Sequence, residues 1–201
     1  MRFEFIAGDL CLDFANTIHN LRAEDKEEEL RAVSDLLQWA NEAGLLSSAE
    51  FDRLAARYKR NSREAESALA KGIAIRNLLL SIFISIANGR AVSGQRLSEL
   101  NSALAHAPGT LRVGRNSGRI ETEWTSEATD GLERVLFAIL TSAAELLASD
   151  RVARIRECAS ADCTWLFVDE SRNRSRRWCD MKACGNRMKA RRHYQRAKGA
   201  S

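Results

Sequence analysis

Four cysteines stand within 27 residues as two C-x4-C pairs, Cys158-ASAD-Cys163 and Cys179-DMKA-Cys184, with fifteen residues between the pairs. Thiolate sulfur suits the borderline-soft Zn²⁺, and four such ligands complete its preferred tetrahedron. A tight turn around each pair supplies two corners, and a hairpin brings the second pair back to the first. A shell closed by four cysteines leaves no open coordination position, so one Zn²⁺ held this way is structural and not catalytic. The four-residue spacing is at the long end of the usual range and is less specific than C-x2-C used twice. Disulfides and unrelated cysteines are the alternatives. Disulfides require an oxidising compartment, and a redox motif calls for C-x-x-C. The fifth cysteine, Cys11, reads as a small buried hydrophobe.

The flanks of these cysteines are strongly basic. Residues 151–201 hold 14 Lys/Arg against 5 Asp/Glu, a net of +9, whereas residues 1–150 hold 17 against 22. A basic module on an acidic body points to a polyanionic partner for one end of the chain. The loop SRNRSRR contributes Arg172, Arg174, Arg176 and Arg177. Lys182 lies between two ligands. A C-terminal helix adds Arg187, Lys189, Arg191, Arg192, Arg196 and Lys198, and no acid follows Asp180. Single-sign charge anchored by a metal is suited to phosphate, where each neutralised phosphate releases condensed counterions. Some of these bases would also offset the −2 formal charge of a zinc tetrathiolate. Ala190, Tyr194 and Ala197, at i, i+4 and i+7, form the stripe expected to pack this helix on the finger. Trp165, Phe167 and Trp178 are the expected core of the module.

The elements that must position these groups are mostly helical. Helices are expected over residues 10–21, over 34–44 with Ser34 as N-cap and Gly44 as the closing residue, and over 47–60 with Ser47 and Glu50 as a capping box. A long helix over 62–89 is apolar on most faces and reads as the centre of its domain. A helix over 93–107, a β-hairpin over 110–124 turning at 116–118, and a helix over 128–150 follow. A strand, Thr164–Val168, leaves the first cysteine pair. The expected fold is therefore mainly α: a helical domain with a small β-hairpin over 1–150, then a small four-cysteine zinc-finger module of a short β-hairpin and a C-terminal helix over 151–201.

Two runs resemble known families. WCDMKACGNR, preceded by FVDESRNRSRR and followed by MKARRHYQR, resembles the CGNR zinc finger, named for Cys184-Gly185-Asn186-Arg187. GDLCLDFANT, residues 8–17, is similar to the start of the helical ABATE domain that accompanies this finger. The resemblance implies a bacterial stress-responsive transcription regulator with a DNA-binding finger, and carries Cys158, Cys163, Cys179 and Cys184 over as ligands. Read physically, Gly185 permits a backbone angle denied to other residues, Asn186 caps the following helix, and Arg187 sits in its anion-attracting first turn.

Function classes follow. A DNA-binding regulator, its helical body sensing an effector or forming a homodimer, is the leading expectation, and a zinc-ribbon-like RNA-binding protein is the alternative. A metal-dependent nuclease is disfavoured. His19, His106 and His193 are scattered, and no carboxylate or imidazole set marks an open metal site, so no enzyme is expected. MRFEFIAGD is not a secretory signal, because Glu4 and Asp9 interrupt its apolar run. No uncharged apolar span of about 18 residues stands out, so cytoplasmic location without a membrane partner is expected. Asp13, Asn16 and Thr17 have two readings: packing residues satisfied by nearby backbone, or the mouth of a small-molecule pocket.

Overall fold

The computed structural model describes residues 2–21, 27–105, 111–116, 119–124, 131–160 and 162–199. In β3, β4 and most of α7 beyond Arg191, the backbone alone is described.

The chain runs α1 (Leu10–Ala15), β1 (Ile18–His19), β2 (Glu27–Glu28), α2 (Val33–Glu42), α3 (Ser48–Arg60), α4 (Ser62–Ala87), α5 (Gly94–Ala105), β3 (Leu111–Asn116), β4 (Arg119–Trp124) and α6 (Gly131–Ala148). A 3-10 turn, Asp150–Arg154, leads into β5 (Ile155–Glu157) and β6 (Leu166–Val168); a π-helical turn, Met181–Gly185, then runs into α7 (Asn186–Gly199). Each strand pair is an antiparallel two-stranded ribbon: β1 with β2, β3 with β4, and β5 with β6. The mainly helical class, the hairpin at 111–124 and the finger's short hairpin all agree with the sequence reading.

The long apolar helix is central, as its patterning requires. α4 contacts α1, α2, α3, α5 and α6, and its far end meets β5 and β6. By length and composition it could cross a membrane; in this fold Leu79, Ile82 and Phe83 are fully buried in the core. Its start is capped by Asn61, which accepts from the Glu64 amide. The Ser47–Glu50 capping box forms as expected, with the Ser47 amide donating to Glu50 at 2.9 Å and the Glu50 amide to Ser47 Oγ at 3.3 Å.

Two helix boundaries differ from the sequence reading. α1 ends at Ala15, not residue 21, because Asn16 leaves the helix to serve a distant strand (below). α2 starts at Val33 with Ala32 at the cap position, so Ser34 is not the N-cap; Asp35 takes that role by accepting from the amides of Arg31 (2.8 Å) and Ala32 (3.0 Å). Residues 22–26, 106–110 (including His106), 117–118 and 125–130 lie outside the described residues, and with them parts of the expected connector, helix 93–107 and hairpin turn.

Arg76 on α4 is buried despite its charge. It is 1% exposed and grips Glu28 of β2 with both terminal nitrogens, at 3.0 and 2.6 Å, while Nη1 also donates to the Thr17 carbonyl at 3.4 Å. This bidentate pair pins the β1–β2 ribbon to the central helix.

The finger is not a separate ball beside the body. Ile155, Cys158, Trp165, Leu166, Phe167, Val168, Cys179 and Cys184 share one continuous core with Ala7, Phe14, Trp39 and Leu79 of the body. Trp165 and Phe167 are buried as expected, but they extend the body's core and do not form one of their own. Trp178 is half-buried, with the Arg177 guanidinium over its ring at 5.6 Å.

Candidate metal centre and basic face

β5 and β6 hold the first cysteine pair at the end of their hairpin, where the Cys158 amide donates to the Trp165 carbonyl at 2.8 Å. The second pair spans the π-helical turn. Asp180 caps that turn, its carboxylate accepting from the Ala183 amide at 2.6 Å. The helical run thus begins at Met181 and passes without a break into α7, so Asn186 is an interior residue with φ −68° and ψ −40° and is not the N-cap. Arg187 accordingly does not sit in a free first turn. Gly185 lies in the continuous helical run and not in the left-handed region, so the backbone freedom expected of it is not used; a Cβ there would come within 2.7 Å of Sδ of the exposed, flexible Met181 side chain, which would have to shift.

The four sulfurs of Cys158, Cys163, Cys179 and Cys184 all lie within 4.8 Å of one another. Cys179 Sγ is 3.7 Å from both Cys163 Sγ and Cys184 Sγ. A tetrahedron with metal–sulfur bonds of about 2.3 Å has edges of about 3.8 Å, so these spacings fit one tetrahedral, thiolate-preferring cation. They are far too long for disulfides, whose S–S bond is about 2.05 Å. The Cys179 amide lies 3.5 Å from Cys158 Sγ and points a donor at a sulfur that a metal would leave anionic. Titration of the four thiols is split by their mutual contacts. Hydrogen bonds from Cys163 and Cys179 pull Cys158 down, contact with Cys158 pushes Cys163 up to about 12 and Cys179 higher still, and burial raises Cys184. A divalent cation would hold all four as thiolates at once, leaving a net formal charge of −2. Ser160 Oγ is buried in the same turn without a hydrogen-bond partner among the described residues.

The sequence-selected bases divide into three groups. Arg172, Arg174, Arg177, Lys182, Arg187, Lys189 and Arg191 are exposed, and Arg191 pairs with Asp162 at 3.1 Å. Arg176 is not presented. Its Nε donates to the Trp178 carbonyl at 3.0 Å, Nη2 reaches the Cys179 carbonyl, and the guanidinium lies 4.5 Å over the Phe167 ring. Its positive charge sits beside the metal ligands and works on the finger itself. Arg192, Arg196 and Lys198 fall within α7, but their side chains lie outside the described residues, as do those of His193 and Ala197. The expected packing stripe is displaced: Ala190 is exposed and Tyr194 is 62% exposed, whereas Met188 faces the first knuckle across a cavity it shares with Cys158 and Ser160.

Asp13, Asn16 and Thr17 are buried at 9%, 3% and 1% exposure, and their polar atoms go to backbone, which favours packing over a pocket mouth. Asp13 accepts from the Ala7 amide at 2.9 Å, and Thr17 Oγ1 donates to the Phe14 carbonyl at 2.8 Å. Asn16 binds both backbone groups of Leu166, at 2.9 and 2.8 Å. The neighbouring residues of the same run complete a seat for the finger. The Val168 amide donates to the Ala7 carbonyl at 2.8 Å. Gly8, with φ +85°, places its backbone where a Cβ would lie 3.6 Å from Val168 Cβ. Asp9 pairs with Arg151 at 2.6 Å and accepts from Ser142 of α6 at 2.6 Å. Sequence reasoning missed Asp9, Arg151 and Asp180 because their partners are remote or backbone. Asp169 was legible in principle, since an Asp two residues before a Ser is a turn signature.

Comparison with known families agrees with this architecture. A family model described as "Putative stress-induced transcription regulator" (ABATE) matches residues 8–150, and the CGNR zinc-finger model matches residues 154–197. A search of the curated proteins finds no match. With the N-terminal run seating the finger and the four cysteines gathered as that finger requires, the chain belongs to the ABATE family and carries a CGNR zinc finger.

Proposed function

We propose that the chain is a DNA-binding transcription regulator of the cytoplasm whose finger holds one structural Zn²⁺ and meets the DNA backbone with its basic face. The observation that carries this reading is the exposure of Arg172, Arg174, Arg177, Lys182, Arg187 and Lys189 together on a sulfur-stapled module, with no acid after Asp180. Phosphate recognition needs cations held at fixed positions in water, and the finger supplies them. A closed four-sulfur shell gives no position for substrate, so the proposed role is binding and not catalysis. The helical body is assigned the sensing or dimerising role. A small-molecule effector would enter the cleft of about 320 Å³ lined by Ile75, Ala103, Leu136, Phe137 and Leu140.

Binding to duplex DNA and to RNA, followed by anisotropy across a salt series, tests this. A steep salt slope with duplex DNA is expected, lessened by about two phosphate contacts in Arg187→Ala/Lys189→Ala. An unchanged slope in that variant overturns the basic-face assignment, and tighter binding to RNA than to DNA moves the reading to the RNA-binding alternative.

A further inference from the structure

The loop between β6 and Cys179 is built as a rigid platform, although its sequence, SRNRSRR, has the composition of a loose basic tail. Its foundation is Asp169, a carboxylate with no solvent exposure. One oxygen of Asp169 accepts from the amide of Ser171 at 3.0 Å and from its hydroxyl at 2.5 Å, and the other accepts from the Arg176 amide at 3.0 Å. Ser171 extends the frame: its Oγ accepts from the Ser175 amide at 3.1 Å, and its carbonyl accepts from the Arg174 amide at 3.1 Å. The Asp169 amide in turn donates to the Arg154 carbonyl at 2.9 Å, which ties the loop to the seam between body and finger. On the far side Arg176 is clamped to the Trp178 and Cys179 carbonyls and over Phe167.

The frame fixes an unusual backbone at its tip. Arg174 has φ +49°, the left-handed region that a side chain other than Gly, Asn or Asp seldom occupies. Such conformations persist where the surroundings over-determine them, and they collect at functional sites. Arg172 and Arg174 are both exposed on this tip, and no hydrogen bond or ion pair holds either side chain among the described residues. Of the four arginines in the loop, two rest on aromatic rings, Arg176 on Phe167 and Arg177 on Trp178, and two are presented outward.

Phosphate contacts alone do not call for this construction, because flexible lysines and arginines neutralise phosphates well. Reading a base edge does. A guanidinium must reach O6 and N7 of guanine together, and a preordered backbone lowers the entropy lost on forming both bonds. Resting on the proposed DNA-binding role, we infer that Arg174, supported by Arg172, is the specificity-determining residue of the finger and reads guanine in the major groove, while α7 supplies the sequence-independent attraction.

The test uses the full zinc-loaded chain and the duplex it enriches from a random DNA library. Arg174→Gly suits the φ of +49° and removes the guanidinium without straining the loop; Arg174→Lys keeps the charge and loses the fork. For the wild type, enriched sites containing a guanine, and at least about tenfold weaker binding when that guanine is replaced by 7-deazaguanine, are expected. Both variants should lose preference for the enriched site over random duplex by about the same factor, be insensitive to the 7-deaza change, and show a salt slope altered by no more than about one phosphate contact. Variants that keep wild-type discrimination, or a wild type indifferent to 7-deazaguanine, overturn the assignment while leaving DNA binding intact. A wild type that binds no duplex DNA above random competitor overturns the DNA-binding reading itself, and this inference with it.

Discussion

Asn16 and Leu166, 150 residues apart, pair as two strands would: the Asn16 carboxamide donates to the Leu166 carbonyl at 2.9 Å and accepts from its amide at 2.8 Å. One side chain thereby satisfies both backbone groups of the strand residue three positions beyond the ligand Cys163. The GDLCLDFANT run is thus the seat of the finger. Asn16→Ala would leave two buried backbone groups without partners, at about 1–3 kcal/mol each. Urea unfolding should show a loss of about 2–6 kcal/mol, and zinc transfer to a chromogenic chelator should be faster than in the wild type. A variant with wild-type stability and zinc-release rate would show that the pairing does not hold the finger.

Because the finger's hairpin lies in the body's core, metal removal should reach the whole chain. Chelation is expected to lower the thermal midpoint of the helical body in a single cooperative transition, the behaviour of a structure stabilised by binding to its native form. Calorimetry checks this. Two separate transitions, the larger unmoved by chelator, would mean that body and finger fold independently.

The Arg76–Glu28 pair makes a different prediction. Arg76 has 1% exposure but the Glu28 carboxylate is 31% exposed, so removing Arg76 should cost about 2–3 kcal/mol, below the ~3–5 kcal/mol of a fully buried pair. Arg76→Ala should show this smaller loss in denaturant unfolding, and Arg76→Met combined with Glu28→Gln should recover part of it. Recovery in the double variant distinguishes loss of the charge pair from loss of packing.

Asp13 gives the fold a pH signature. Burial raises its pKa from 3.8 to about 6, against the opposing pull of the Ala7 amide. The folded state therefore holds this proton between pH 4 and 6 while the unfolded chain has released it. The contribution of this group to stability is most favourable below about pH 4, falls as pH rises through that window, and is lowest above about pH 6, by at most about 3 kcal/mol. Glu50 acts oppositely: hydrogen bonds from the Ser47 amide and hydroxyl lower its pKa to about 2, so its contribution is lost in acid. The difference between Asp13→Asn and wild type isolates Asp13. That difference should move in favour of the variant as pH rises from 4 to 7, and a difference flat with pH would contradict the assignment.

Much of the architecture was legible because its causes are local. Capping at Ser47 and Glu50, the apolar faces of α4 and the hairpin at 111–124 follow from neighbours in sequence, and the four cysteines announce a metal by type and spacing. What was not legible depends on remote partners. Nothing near Asn16 says that its carboxamide will leave the helix for Leu166, and nothing near Arg76 says that Glu28 will reach it from the β1–β2 ribbon. The packing of α7 was misplaced for a related reason. Asp180 starts the helical turn before the last ligand, so the inward positions are set by Cys184 and Met188 and not by Ala190 and Tyr194. Arg176 looked like one more exposed base; the carbonyls of Trp178 and Cys179 make it part of the finger's frame.

Everything proposed for the basic face depends on the four cysteines holding a metal. The direct measurement is the metal content of the chain purified from cells without chelator, alongside Cys158→Ser/Cys184→Ser. About one zinc per chain in the wild type and little in the variant is the predicted result. A fully folded wild-type chain, its hairpin and α7 ordered, that contains no zinc or other thiolate-bound metal would contradict the account.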